Sequence, residues 1–161
     1  MTPEVRSSLV FDALQNEDQV EVLRRLRNSG RSGLFDRRRI SAEEQAQWWS
    51  ELRPEYRGRI WLVRRVSDEL PCAYCSLLPR VLAGVEDEES RTWITLVVAP
   101  RYRGHGIGTA IYAIAPSLVK EIVWAAMWRT NVASYRAACR AGYVDAPTFS
   151  GPETRVVRSA L

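Results

Sequence analysis

The sequence predicts a single mixed α/β (α+β) domain, and three observations carry that prediction. Strand-like and helix-like apolar patterns alternate along the whole chain, and a strand runs through a glycine-rich turn into a helix at Val98–Thr109. The chain has 161 residues, 46% of them hydrophobic and 26% charged, an ordinary globular composition. A domain of this size buries roughly two thirds of its unfolded surface, so residues 1–161 call for no second domain.

Taken in order, Ser8–Ala13 (SLVFDA) is a short strand. Asp18–Leu26 is a helix, because Val20, Leu23 and Leu26, with Val22 beside them, fall at helical spacing. Asn28–Gly33 is rich in turn formers, so it should end that helix and lead into a flexible loop. Ser41-Ala-Glu-Glu44 is a capping box: the serine oxygen is placed to accept from the third helical N–H, and Glu44 reaches back. The second helix that starts there carries Trp48, Trp49 and Leu52, and Pro54 should stop it. Arg59–Val66, rich in Ile, Trp and Val, and then Leu70–Leu78 read as strands. Gly84–Arg91, with the acidic run Glu86–Glu89, reads as a solvated hairpin loop before the buried strand Thr92–Val98. Beyond the glycine turn come a helix over Thr109–Val119 despite Pro116, a strand over Ile122–Met127, a helix over Ala133–Ala141, and extended segments from Tyr143. Neither an internal repeat nor a low-complexity linker interrupts this order.

Composition removes several functional classes. No apolar run approaches the ~20 residues that span a bilayer. Residues 1–30 lack the basic start, apolar middle and cleavage site of a secretory signal, which predicts a cytoplasmic protein. The net charge of +4 is mild and comes from arginine, Lys120 being the only lysine. Clusters at Arg24–Arg27 and Arg37–Arg39 lack the aromatic interleaving of a nucleic-acid surface and read as solvated faces, so no nucleic acid is expected. Three cysteines form no disulfide framework, in keeping with a reducing compartment. Cys72-Ala-Tyr-Cys75 has C-x-x-C spacing, but a single histidine in the chain leaves too few ligands for structural zinc, and the pair lies inside a strand rather than opening a helix. Both are expected to be buried strand cysteines, with no metal.

Val98-Ala-Pro-Arg-Tyr-Arg-Gly-His-Gly-Ile-Gly-Thr109 is the most informative stretch. Glycines 104, 106 and 108 remove side chains so that successive main-chain N–H groups can converge on an anion, and the helix beginning near Gly108 adds its positive end. Arg103 contributes a permanent charge with a fork of donors suited to phosphate oxygens. A Walker loop is excluded because the Lys-Ser/Thr pair is missing, and a dinucleotide fingerprint because the glycine spacing is wrong and the segment lies late in the chain. Diphosphate is the natural guest.

Arg103-Gly-His-Gly106-Ile-Gly108 resembles the R/Q-x-x-G-x-G/A signature of GCN5-related N-acetyltransferases. Asn131-Val-Ala-Ser134 and Gly142-Tyr143 resemble that family's N-x-x-[AS]…G-[FY] segment at its usual distance downstream. Together the two regions cover residues 92–143. The resemblance implies a central mixed, twisted sheet of about six to seven strands flanked by about four helices. It implies acetyl-CoA as cosubstrate and an amine as acceptor, with no metal.

Under that resemblance the amine attacks the thioester, a tetrahedral oxyanion forms and CoA leaves as a thiolate. The pantetheine arm is expected at the splayed strand end Leu96, Val97 and Val98, where an N–H stabilises the oxyanion. The pyrophosphate is expected at Arg103, Gly104, His105, Gly106, Ile107, Gly108 and Thr109, with Asn131 and Ser134 completing the cofactor site. The amine must be neutral to attack, and the sequence does not name its base: Glu43 and Glu44 are candidates, as is deprotonation through solvent, while His105 sits at the variable position of the loop. The family's usual acid, a tyrosine seven residues after the motif asparagine, is replaced here by Ala138. Ser134 resembles the serine of another branch and is the first candidate, with Tyr135 and Tyr143 nearby; Ser134 as a cap of its own helix is the structural alternative.

The acceptor should be chosen by the loop between the first two helices and by the segment near Asp145–Glu153. Arg27-Asn28, Arg31, Phe35 and Ile40-Ser41 through Trp48 resemble a subgroup that acylates nucleotide-linked amino sugars, with Gln45 where that subgroup has histidine. Trp48 and Trp49 serve equally as anchors packing the second helix on the sheet. A small-molecule amine is therefore the leading acceptor. A protein N-terminus and a non-catalytic acyl-CoA sensor are the alternatives, and a homodimer is compatible with such a fold.

Overall fold

The computed structural model describes residues 8–80 and 90–160. The hairpin loop expected over Gly84–Arg91 lies, as far as residue 89, outside the described residues. Seven strands form one sheet in the order β1-β2-β3-β4-β5-β7-β6. They are β1 (Leu9–Ala13), β2 (Ile60–Arg65), β3 (Ala73–Arg80), β4 (Arg91–Val98), β5 (Val123–Trp128), β6 (Val144–Asp145) and β7 (Thr154–Arg158). The helices are α1 (Glu17–Gly30), α2 (Ala42–Glu51), α3 (Pro54–Arg57), α4 (Ile107–Val119) and α5 (Val132–Arg140). Every strand pairing is antiparallel except β4 with β5.

Alternation along the central strands sorts the core into two layers, because successive side chains point to opposite faces. Trp61, Val63, Ala73, Cys75 and Leu77 share one cluster with Ile107, Ile111, Tyr112 and Ala115 of α4 and Ala138 of α5. Ile60, Leu62, Tyr74 and Val97 share the other with Val20, Leu23 and Leu26 of α1 and Trp49 of α2. The sheet is thus covered by α1 and α2 on one face and by α4 and α5 on the other. Cys72 and Cys75 are buried free thiols, and burial pushes the Cys75 thiol far up. No helix among the described residues is long and apolar enough to cross a membrane, and no cluster of metal-ligating side chains occurs among them.

Several element ends differ from expectation. Asn28 and Ser29 do not end α1, which runs on to Gly30. Asn28 uses its amide elsewhere: Nδ2 donates to the Ile40 carbonyl and Oδ1 accepts the Ile40 N–H, both at 2.9 Å. It therefore does not compete with its own helix. α2 ends at Glu51, before Pro54 as expected, and Pro54 itself opens α3 at a position where its missing N–H costs nothing. The guanidinium of Arg57 then stacks 4.5 Å from the Trp49 ring, locking α3 onto α2. β3 begins at Ala73 rather than Leu70, which is exposed and follows no strand partner.

The capping box of α2 is formed as read: Glu44 N–H donates to Ser41 Oγ at 3.1 Å, and Ser41 N–H donates to Glu44 Oε2 at 2.8 Å. The expected flexible loop after α1 is instead pinned. Arg27 donates to the carbonyls of Arg38 and Asp36 at 2.8 and 3.1 Å, Trp128 Nε1 donates to Leu34 O at 3.2 Å, and Arg24 reaches Ile40 O at 3.0 Å.

At one end of the central strands Arg59 donates to Glu121 Oε1 at 2.6 Å and Thr92 donates to Glu121 Oε2. The Arg59 and Thr92 hydrogen bonds hold the Glu121 carboxyl below its ordinary value of 4.5. A depressed folded-state pKa contributes stability above the ordinary value and loses it as pH falls through the folded value. Glu121→Gln should therefore lower Tm by about 2 °C at neutral pH. In parallel melting curves that deficit should close as pH falls below 4.5. Gly30 meets β4 so closely that an added methyl would lie 2.2 Å from Val97 Cγ1. Gly30→Ala should cost about 2 kcal/mol, or about 5 °C in Tm, by overpacking.

Candidate active site

β4 and β5 pair only at Thr92↔Val123 and Trp93↔Trp124, and then part. Each keeps its outer partner throughout: β3 follows β4 to Ala73↔Val98, and β7 follows β5 to Trp128↔Thr154. The facing edges beyond Trp93 and Trp124 thus carry main-chain donors and acceptors that no strand of the sheet pairs. Buried groups of this kind need partners, and an extended guest can supply them. A cavity of about 740 Å³ occupies the opening, lined by Ile94–Val98 on one side and Ala126–Trp128 on the other.

The glycine loop forms the next wall. Gly104 and Gly106 adopt φ of 82° and 79°, a left-handed conformation that L side chains rarely take. Gly106 is the N-cap of α4 and offers no side-chain cap, so the first N–H groups of that helix are left for a guest. Gly108 has ordinary φ, and a methyl there would meet Val98, Ala137 and Leu96 only at 3.8–4.0 Å, so the fold itself does not demand glycine. Its missing side chain leaves room in the cavity. Arg103 lines the same wall and donates from Nε to Val98 O at 3.2 Å.

The residues read from the sequence as a cofactor site, Leu96, Val97, Val98, Arg103, Gly104, Gly106, Ile107, Gly108, Thr109, Asn131 and Ser134, all line this cavity. His105 is exposed and does not. Arg136 and Arg140, unforeseen from the sequence, join Ala133 and Ala137 in an i, i+3, i+4, i+7 stripe along α5 facing the cavity. That spacing was the available signal. The stripe adds two permanent positive charges beside the helix N-terminus.

Asn131, not Ser134, caps α5: its Oδ1 accepts the Ser134 N–H at 3.2 Å, and its Nδ2 donates to Gly33 O at 3.5 Å. The Ser134 hydroxyl is left to meet the phenol of Tyr112 at 2.9 Å. Tyr112 is unforeseen as well, although it stands one helical turn after Gly108, on the same face of α4. Burial pushes its phenol up to about 12. Tyr135 is not among the lining residues; its hydroxyl donates to Asp145 Oδ2 at 2.9 Å, and the Arg155 guanidinium sits 3.8 Å from its ring centre. Tyr143 lies beneath the cavity with its ring edge-on to Tyr112, centroids 5.2 Å apart.

The pinned loop after α1 closes the far side with Leu34, Phe35 and Asp36, and Phe35 packs on Trp128 with ring centres 4.8 Å apart. Neither Glu43 nor Glu44 lines the cavity, and Glu44 is committed to its cap and to Arg38 at 3.2 Å. Asp36 is the one lining carboxylate among the described residues. The Arg38 N–H, aided by the Arg38 and Arg27 guanidinium groups, holds its carboxyl below the usual range. Trp49 is buried in the core and Trp48 packs against it, so both act as anchors of α2, and Gln45 is buried without lining the cavity.

The family model for the acetyltransferase (GNAT) family matches residues 21–143. No curated protein sequence matches the chain. Solved structures similar to it include one assigned as a phosphinothricin N-acetyltransferase, with 16% identity, 96% of this chain and 99% of the other covered, and a TM-score of 0.69. Another is yncA from Salmonella typhimurium with its cofactor acetyl-CoA, with 11% identity, coverage of 94% and 92%, and a TM-score of 0.68. A third is the ribosomal-protein-alanine N-acetyltransferase from Brucella melitensis, with 16% identity, coverage of 95% and 99%, and a TM-score of 0.65. At these identities the structures establish the shared fold.

The Tyr143 hydroxyl is buried with no hydrogen-bond partner among the described residues. Removing an unsatisfied buried hydroxyl while keeping the ring is neutral or stabilising. Tyr143→Phe should hold or raise Tm by about 2 °C in a thermal melt.

Proposed function

The chain belongs to the acetyltransferase (GNAT) family, and we propose that it moves an acetyl group from acetyl-CoA to a primary amine of a small molecule, amino sugars heading the candidates, within a single domain. The observation that carries this reading is the parted β4–β5 edge, set beside a glycine loop and an uncapped helix N-terminus. Family membership makes acetyl-CoA the cosubstrate, and the cavity's chemistry fits it. An anion-binding wall adjoins a slot edged by unpaired main-chain groups, as a diphosphate joined to an amide-bearing arm requires.

Acetyl-CoA supplies an acyl carbon activated by its thioester. The N–H groups of Gly104–Thr109 hold the diphosphate, with Arg103, Arg136 and Arg140 adding charge. Main-chain groups of Leu96, Val97 and Val98 pair with the pantetheine arm, and an N–H at this strand end stabilises the negative charge that develops on the acyl oxygen. Asn131 holds the start of α5, and Ser134 faces the sulfur side of the cavity. The amine loses its proton to solvent: Asp36, held below the usual carboxylate range and paired with Arg27 at 3.2 Å and Arg38 at 3.4 Å, is too weak a base to take it. The loop wall of Leu34, Phe35 and Asp36, fastened to α1, β5 and α5, favours a small acceptor over a broad peptide groove.

Calorimetric titration of acetyl-CoA should give micromolar binding. Gly108→Trp, which fills the cavity without requiring a left-handed backbone, should weaken it on the order of 100-fold, about 2.8 kcal/mol. No binding to the wild-type protein overturns the reading. With binding established, turnover in an amine panel headed by amino sugars and including peptide N-termini identifies the acceptor.

A further inference from the structure

We propose that Tyr112 is a positioning residue: its phenol holds the Ser134 hydroxyl so that the serine O–H points into the parted-strand cavity and donates to the thiolate leaving the thioester. This inference rests on the acetyl-CoA reading above.

Ser134 is the third residue of α5, beyond the N-cap position from which a serine hydroxyl would cap the helix. Here Asn131 does that work, and the Ser134 N–H is already satisfied by it at 3.2 Å. The Ser134 oxygen instead meets Tyr112 at 2.9 Å, across the contact between α4 and α5, and both residues line the cavity. Tyr112 cannot swing away without losing packing: it is 4% exposed, and the Tyr143 ring lies against it at 5.2 Å and 71°. The two hydroxyls own two protons. One lies between them, and the other is free for a guest.

The phenol is the stronger acid, so it donates to the serine oxygen and leaves the serine proton as the free one. The Tyr143 hydroxyl is not in this chain of bonds, having no partner among the described residues. With burial pushing the phenol up to about 12, Tyr112 stays protonated while a thiolate forms beside it. The pair therefore provides a fixed dipole rather than a transferred proton. In the step itself the amine nitrogen bonds to the acyl carbon and the carbon–sulfur bond breaks. Its electron pair goes to sulfur, the amine proton goes to solvent, and the thiolate keeps the Ser134 hydrogen bond until it takes a proton from solvent on release.

CoA with its free thiol is the equilibrium mimic of this leaving group, and its ionisation needs no acceptor. Saturating CoA would be bound to the wild-type protein, Tyr112→Phe, Ser134→Ala and the double variant, and thiolate absorbance followed against pH. Arg27, Asp36, Arg103, Arg136 and Arg140 line the same cavity and act on the thiol in all four proteins, so the differences isolate the hydroxyl pair. The wild-type complex should ionise about one pH unit below the Tyr112→Phe complex, the size expected of one hydrogen bond to a charged group. Ser134→Ala should lose as much, and the double variant no more than either. Desulfo-CoA should bind all four alike, which a merely structural role for Tyr112 would not predict. Equal ionisation in wild type and Tyr112→Phe, or losses that add in the double variant, overturns the proposal. Absence of CoA binding to the wild-type protein is a separate result that overturns the acetyl-CoA reading itself.

Discussion

The contact between β4 and β5 is two residue pairs long, and the rest of the molecule is arranged around that brevity. Thr92↔Val123 and Trp93↔Trp124 close the sheet at one end, where the Glu121 carboxylate joins Thr92 of β4 to Arg59 at the entry of β2. Past this point both strands remain in register with their outer neighbours, so the gap is held open from both sides. A parallel pair needs a long crossover, and here that crossover is the glycine loop with α4. The same segment that connects the two strands therefore delivers an uncapped helix N-terminus to the mouth of their opening.

The second constraint is the fixing of the loop after α1. Arginine and asparagine side chains of that helix, Trp128 of β5 and Asn131 of α5 all end on main-chain carbonyls of the segment from Gly33 to Ile40. A loop without regular secondary structure would otherwise leave those carbonyls to water. Held this way, it becomes a wall of the cavity. Gly30 shows how tight the arrangement is, since the end of α1 touches Val97 with no space for a methyl.

Charge is distributed unevenly around the opening. Arg103, Arg136 and Arg140 stand on the side of the glycine loop and α5, while on the loop after α1 the lining carboxylate of Asp36 is paired with Arg27 at 3.2 Å. Hydroxyls of Tyr112 and Ser134 meet on the α4–α5 contact, beside apolar core residues, where hydrogen bonds are strengthened and unpaired groups are costly.

Much of this was legible in the amino-acid sequence, because the signals involved are local. Strand-like apolar runs marked β2 to β5, the Ser41–Glu44 pair marked the start of α2, and glycines 104, 106 and 108 marked the turn that opens α4, each by chemistry confined to a few neighbouring residues. Element ends were less legible: Asn28 looks like a helix breaker until Ile40, twelve positions away, takes up its amide. The identity of the cavity's hydroxyl pair was beyond local reading, since Tyr112 and Ser134 are 22 residues apart and meet only when α4 and α5 pack on the same face of the sheet. So was the discarding of Tyr135, Glu43 and Glu44 from the cavity wall, which depends on which way each helix turns its faces. The sequence by itself determined the kinds of element and the glycine-rich turn between β4 and α4. Only the tertiary structure decided where the strands part and which side chains meet there, because those contacts are set by packing between elements distant in the chain.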